Sequence, residues 1–377
     1  MPEHDPAHPE SPPDHAPQSP PPPARDEGLH RPRAPLNPVS IEDLEPPSRR
    51  SRTRLALQVL GMVVSLGLLV WAASLALTPE NQESLARLRQ APAHLALALV
   101  ALVLASVVLN GVIFQTILAH THRLGALHLV AVTGIATLLA FLPFKLSLLA
   151  RVFIHRRRDG LRYRVLIAWL ASVGGLSVCV LGPATLASLW RAQLDALWFA
   201  GAVVAPAALL ALAVAVARRV RTIPALHAVT LGSAEYATSV PRVATLGALR
   251  LTDLASMALR FAIAAQILGI DLTASEAVVA ASVYFITGLL SPSGNLGARE
   301  GAVTGVGFLP AIDASRELAL IALTVTAAEI VGALIAGALG ALYERPDRLI
   351  AAPAGPHSEA GGAVEAESSS SVERPVR

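Results

Sequence analysis

Ser291-Pro292-Ser293-Gly294-Asn295-Leu296-Gly297-Ala298-Arg299-Glu300-Gly301 is a polar, helix-breaking stretch between two strongly hydrophobic runs. Lipid cannot satisfy the backbone N–H and C=O groups that such a break frees. Irregular backbone at membrane depth therefore persists only where protein covers it or where it lines a wet cavity. A break of this kind marks a candidate site within a bundle of membrane helices.

The rest of the composition agrees. The chain of 377 residues is 53% hydrophobic and only 15% charged, its mean hydropathy is +0.55, and its apolar residues come in runs long enough to cross hydrocarbon. The fold class expected is all-α: a polytopic helical membrane protein. A formal charge of +3, with arginines in short loops between apolar runs, reads as a topology signal rather than a nucleic-acid footprint, so nucleic acid is not an expected partner. The single cysteine, Cys179, rules out an intramolecular disulfide and a cysteine-based zinc cluster. The first apolar run starts only near Leu55, and no cleavable signal peptide is expected.

Three regions follow. Residues 1–48 hold more than half of the 28 prolines and almost no apolar residues, and are expected to form a disordered cytoplasmic tail. Residues 49–348 form the helical membrane domain. Residues 349–377, rich in Ala, Gly, Glu and Ser, read as a second disordered tail. Within the domain, eight hydrophobic segments run from Leu55 to Leu77, His94 to Leu118, Gly125 to Ala150, Val165 to Leu189, Leu197 to Ala217, Val243 to Leu268, Ala277 to Leu309 and Leu318 to Tyr343.

Arginine placement orients them. Arg49, Arg50, Arg52 and Arg54 precede the first run and put the N-terminus in the cytoplasm. If the third run crossed fully, the cluster from Arg151 to Arg164 and the later Arg218, Arg219 and Arg221 would both lie outside. A re-entrant hairpin over Gly125 to Ala150, broken at Pro143, returns both to the cytoplasm. The same logic makes Ala277 to Leu309 a hairpin from the outside, turning at Pro292 to Gly297, and leaves the C-terminus cytoplasmic beside Arg345 and Arg348. The two halves then mirror each other in opposite orientation, the inverted repeat of many transporters, whose broken helices meet near the midplane.

Several side chains stand out. Gly297 or Ala298 opens the second half-helix of the external hairpin, so its unpaired N–H groups point into the turn alongside Ser293, Gly294 and Asn295, a geometry that suits an anion. Arg299 adds a charged fork that fits phosphate, and Glu300 complements the helix start or pairs with a basic residue across the cavity. Gly297, Gly301 and Gly305 leave a smooth packing face. In the cytoplasmic hairpin, Lys145 follows Pro143 and Arg151 closes the segment, either as headgroup ligands or as snorkelling interfacial cations. Arg250, Asp253 and Arg260, spaced by three and by seven, share one helical stripe that cannot face lipid, since each mid-membrane charge costs roughly 2.5–3.5 kcal/mol. Arg250 and Asp253 read as an interfacial ion pair near the cytoplasmic end. Glu329, near the centre of the last run, is the expected counter-ion of Arg260 or Arg299. No Asp-rich pair, Walker loop, His-Glu-x-x-His or Cys-His pairing occurs, so no enzyme activity, cofactor or metal site is expected.

At these residues the chain resembles a family. Pro292-Ser293-Gly294-Asn295-Leu296-Gly297-Ala298-Arg299-Glu300-Gly301 is similar to the Pro-Gly-Gly-x-Gly-x-Arg-Glu-Gly signature of the lysylphosphatidylglycerol synthase transmembrane, or flippase-like, family. Leu142-Pro143-Phe144-Lys145-Leu146-Ser147-Leu148-Leu149-Ala150-Arg151 is similar to its first motif, with Ser147 and Leu148 where the family has Gly-Glu. The resemblance covers roughly residues 55–345. It implies translocation between leaflets of a phosphate-headed lipid, either an aminoacylated phospholipid or a polyprenyl-phosphate-linked sugar, in the cell membrane. The aminoacyl-transfer domain of two-domain relatives is not expected here. A second reading is a non-transporting membrane partner that presents a lipid-linked precursor to a separate glycosyltransferase or lipid-modifying enzyme. On either reading the implied ligand residues are Pro292, Ser293, Gly294, Asn295, Gly297, Arg299, Glu300, Lys145, Arg151, Arg260 and Glu329.

Overall fold

The computed structural model describes residues 49–119, 122–142, 146–191, 195–223, 233–291, 296–308 and 315–345, with side chains from residue 59 onward. Both tails, Pro143, Lys145 and the stretch Pro292, Ser293, Gly294 and Asn295 lie outside the described residues.

No strand occurs among the described residues, and six helices are long and apolar enough to cross a membrane. These are α1 (Arg49–Ala76), α3 (Ala93–Leu118), α6 (Tyr163–Trp190), α7 (Ala196–Arg221), α8 (Val240–Leu268) and α11 (Ser315–Glu344). The short helix α2 (Gln82–Arg89) sits between α1 and α3. Pro206 in α7 has no N–H for the carbonyl four residues back, and the helix widens into a π turn over Ala200–Val204 just before it.

The third and seventh hydrophobic runs each split into two short helices. The first pair is α4 (Ala126–Leu139) and α5 (Leu146–Arg157); the second is α9 (Ala274–Leu290) and α10 (Ala298–Val306). At 1.5 Å per residue the 14-residue α4 spans about 21 Å, short of the ~30 Å of a hydrocarbon core. α5 continues to Arg157, past the expected end of the hairpin at Ala150. Arg151 is therefore mid-helix and does not close the segment.

The two hairpins enter from opposite ends of the bundle. His128, at the start of α4, and Asp159, just after α5, both meet the last turn of α11: His128 Nδ1 lies 2.7 Å from Glu344 Oε1, and its Nε2 lies 3.0 Å from Asp159 Oδ2. The second hairpin belongs to the other end. Arg87 of α2 donates to the Gly269 carbonyl just before α9, Phe308 after α10 stacks on Trp71 near the end of α1, and Arg316 at the start of α11 pairs with Glu80.

The packing follows an exchange rule. α3 packs on α8; α4 packs on α11 as α9 packs on α6; α3 touches α4 and α11 as α8 touches α9 and α6; α5 lies on α6 as α10 lies on α11. Swapping α3–α6 with α8–α11 maps these contacts onto one another, which is the inverted repeat expected from the arginine pattern. The seam between α4 and α11 is closed backbone to backbone. A Cβ on Gly134 would lie 2.5 Å from the Ala336 carbonyl oxygen, and one on Gly340 would lie 2.4 Å from that of Ala131. Only glycine permits that approach.

At the end where α4, α5 and α11 meet, Asp159 Oδ2 also receives His155 Nδ1 at 2.7 Å, and Arg158 pairs with the second oxygen of Glu344. His128 faces carboxylate oxygens with both ring nitrogens, so both donate and the ring is an imidazolium. Burial alone would raise the Asp159 carboxyl; the hydrogen bonds from His128 and His155 outweigh it and hold the carboxyl well below the usual carboxylate range.

Two outcomes are expected. In a Cys179→Ala background, a cysteine at Arg157 and one at Arg316 are labelled by a membrane-impermeant maleimide from opposite faces of the membrane; labelling from one face overturns the opposed hairpins. For Asp159, the depressed folded-state value means that its stabilisation is present above the ordinary carboxylate pKa of about 4 and is lost as pH falls below it. Asp159→Asn should cost about 3–5 kcal/mol at neutral pH and lose less further stability than wild type on acidification, read by thermal unfolding across a pH series.

Candidate functional site

The second hairpin is built to present its polar turn. A capping box, with Glu276 Oε2 accepting the Thr273 N–H at 2.8 Å and the Thr273 hydroxyl accepting the Glu276 N–H, starts α9 cleanly. Gly297 starts α10 with φ of +84°, and a Cβ there would lie 1.8 Å from the Ser65 carbonyl oxygen of α1. Both the backbone angle and the close approach require glycine. Gly301 packs on Leu68 of the same helix, whereas Gly305 faces open space, so the expected glycine face is only partly used.

Glu300 folds back onto its own helix start. Its Oε2 accepts the Gly297 N–H at 2.6 Å, and its Oε1 accepts the Thr326 hydroxyl of α11. The positive end of α10 is thus met by an internal carboxylate, the first of the two roles the sequence allows for Glu300.

Arg299 points the other way, into a cavity of about 360 Å³ at the centre of the bundle. Its Nη1 donates to Glu329 Oε2 at 2.9 Å, and its guanidinium lies 4.7 Å from the centre of the Tyr284 ring. Arg260 of α8 donates to the other oxygen of Glu329 at 2.7 Å and to the Ser106 hydroxyl at 2.9 Å. Glu329 therefore serves both arginines proposed as its partners, and Tyr284 donates to it as a third partner at 3.0 Å. Arg260 is 2% exposed, and its Nε is buried with no acceptor among the described residues.

A second cluster lines the same cavity. Arg250 donates to Ser177 at 2.8 Å, to Asn110 Oδ1 at 2.7 Å and to Asp253 Oδ2 at 2.9 Å, and the Asn110 amide closes the ring onto the same Asp253 oxygen at 3.0 Å. This corrects the interfacial pair expected from sequence: both side chains are 3% exposed and face inward, because Asn110 of α3 and Ser177 of α6 supply polar partners within the bundle. Arg151 of α5 also reaches the cavity, donating to Thr133 at 3.2 Å and lying 4.2 Å over the Phe114 ring, with no carboxylate partner among the described residues. It is a cavity group and not a snorkelling interfacial cation.

Four arginines and two carboxylates, Asp253 and Glu329, thus line one space, a formal excess of two positive charges. No known family, curated protein or solved structure matches this chain. The chemistry of the cavity has to be taken from its own geometry. Asp253 and Glu329 share it, yet each is held by guanidinium, and the excess of donors suits an anion with several oxygens. Of the implied ligand residues, Arg151, Arg260, Arg299 and Glu329 meet here, Gly297 and Glu300 shape the turn behind Arg299, and Lys145 and Pro292 to Asn295 lie outside the described residues. Asn110, Ser106 and Ser177 were not singled out from sequence. Ser106 and Asn110, four residues apart in an otherwise apolar run, carried the signal.

Removing the shared charge should be costly. Glu329→Gln leaves two buried guanidiniums facing each other, and a loss of about 3–5 kcal/mol is expected, against a change within about 0.5 kcal/mol for the exposed Glu83→Gln. Thermal unfolding of the two variants side by side decides it.

Proposed function

We propose that this chain binds the phosphate-bearing head of a membrane lipid in the central cavity and moves it between leaflets. The observation that carries the reading is that the hairpins, entering from opposite ends, each place an arginine, Arg151 and Arg299, in one cavity with excess positive charge. A headgroup site reached from both ends is what alternating access requires. The buried, partnerless Nε of Arg260 is a further donor poised for an anion, and Glu329 holds Arg260 and Arg299 in place while the site is empty.

The hydrocarbon part also has a place. An apolar groove of about 660 Å³ runs between α1 and the second hairpin, lined by Leu60, Val64, Leu68, Ile286, Leu290 and Ala298. It flanks α9 and α10, the helices that carry Tyr284 and Arg299, and it suits an acyl or isoprenoid chain. The resemblance at Pro292 to Gly301 points to the same substrate class, an aminoacylated phospholipid or a polyprenyl-phosphate-linked sugar. The arginines before α1 and after the first hairpin favour a cell-membrane protein with both termini in the cytoplasm.

Lipid retained by the purified chain, identified by mass spectrometry, should be enriched in one phosphate-headed species over bulk membrane lipid. Arg299→Ala should weaken its retention about ten- to a hundredfold, the worth of one charged hydrogen bond. Equal retention of bulk lipid by both proteins would overturn the headgroup site, and a wild-type chain that retains the lipid yet fails to move it in liposomes would favour the presenting-partner reading.

A further inference from the structure

Four oxygen-bearing side chains stand in file from the start of α10 to the cavity: Glu300, Thr326, Tyr284 and Glu329. The Thr326 hydroxyl meets Glu300 Oε1, the Tyr284 hydroxyl lies 2.9 Å from that of Thr326, and the same Tyr284 oxygen lies 3.0 Å from Glu329 Oε2. All four residues are buried.

Each of the three contacts needs a proton between its oxygens. With both carboxylates ionised, only two protons are present, one on each hydroxyl, and one buried pair of oxygens would meet lone pair to lone pair. A third proton completes the file.

Its place follows from the two ends. Glu329 is held by two guanidiniums, at 2.7 and 2.9 Å, and stays ionised. Glu300 receives only the neutral Gly297 N–H and the Thr326 hydroxyl. The helices packed on α10 are α1, α9 and α11. From α9 comes Tyr284 and from α11 come Thr326 and Glu329; Arg299 of α10 itself turns to Glu329, which also binds Arg260 of α8; and the described side chains of α1 include no titratable group.

We propose that Glu300 is a proton-binding site, and that an anion entering the cavity draws this proton toward Glu329, coupling anion loading to proton movement. An anion that takes N–H donors of Arg260 and Arg299 strips Glu329 of its positive neighbours and makes it the stronger base. The Glu300 proton then passes to Thr326, the Thr326 proton to Tyr284 and the Tyr284 proton to Glu329, so that Glu300 ends ionised and Glu329 neutral with no atom displaced. Because binding linkage is reciprocal, a protonated file favours anion entry as much as the anion favours the shift. The proton site stands without the lipid reading; the coupling rests on it.

Infrared spectroscopy of the full chain in nanodiscs at neutral pH tests both. Wild type should show a protonated-carboxyl stretch, sensitive to exchange into heavy water, that is lost in Glu300→Gln and retained in Tyr284→Phe. Adding inorganic phosphate should shift that band in wild type and leave it unmoved in Tyr284→Phe, where the file is cut while Glu300 remains. Absence of the band from wild type, or its survival in Glu300→Gln, overturns the proton site. A band that behaves as expected but ignores phosphate overturns the coupling. Phosphate binding to that same protein, followed by calorimetry, separates this failure from failure of the anion reading.

Discussion

Glu329 is shared by two guanidiniums from different helices, and the interior of the protein is organised around that sharing. A carboxylate or a guanidinium alone in this setting would carry a desolvation penalty of several kcal/mol. Together, Arg260 of α8, Arg299 of α10 and Glu329 of α11 make each other tolerable, and in doing so they fix how a long helix from each half and a half-length helix meet. The arrangement leaves one positive charge over. Adding the Arg250–Asp253 pair changes nothing in that balance, and Arg151 adds a second unmatched charge. The cavity is thus stable enough to exist and charged enough to attract.

Much of this was legible in the chain. All eight hydrophobic runs became helices or helix pairs, because runs of Leu, Ala and Val some twenty residues long have few other solutions in lipid. The two hairpins were visible for different reasons: the second through its polar break at residues 291–297, the first only through the conflict of arginine clusters with a full crossing. Glu329, Arg260 and Arg299 could be paired from sequence because three lone charges in apolar runs must find one another. The partners of Arg250 could not. Asn110, Ser177 and Ser106 are short polar residues of a kind that often bonds its own helix backbone, as Ser177 also does to Val173, and nothing in the linear chain says which will turn toward a distant arginine. The inward course of Arg151 was hidden by helix length: α5 runs two turns further than its apolar residues do, carried by Phe153, Ile154 and the His155–Asp159 contact.

Opposed hairpins and a shared central cavity are two descriptions of one topological fact. An inverted repeat places equivalent half-helices on either side of a midplane, so the groups they carry converge from both faces without any long-range arrangement specific to function. What differs between the halves is chemical. The first hairpin offers Arg151 beside an aromatic ring and a hydroxyl, while the second offers Arg299 backed by a capped helix start, a tyrosine and a carboxylate. The second half holds its arginine more tightly, and with more titratable neighbours.

The exchange rule also pairs two seams that are not alike. Between α4 and α11, glycine lets the backbones touch, and the histidine, aspartate and glutamate cluster binds the same elements at their outer end. Between their counterparts α9 and α6, a Cβ on Gly174 would find only a Leu289 methyl at 3.9 Å, and one on Gly175 would find nothing. One seam is welded and the other is a slip plane. A molecule that has to change shape around its cavity would then do so with α4 and α11 as its frame, while α9 slides on α6 and carries Tyr284 with it.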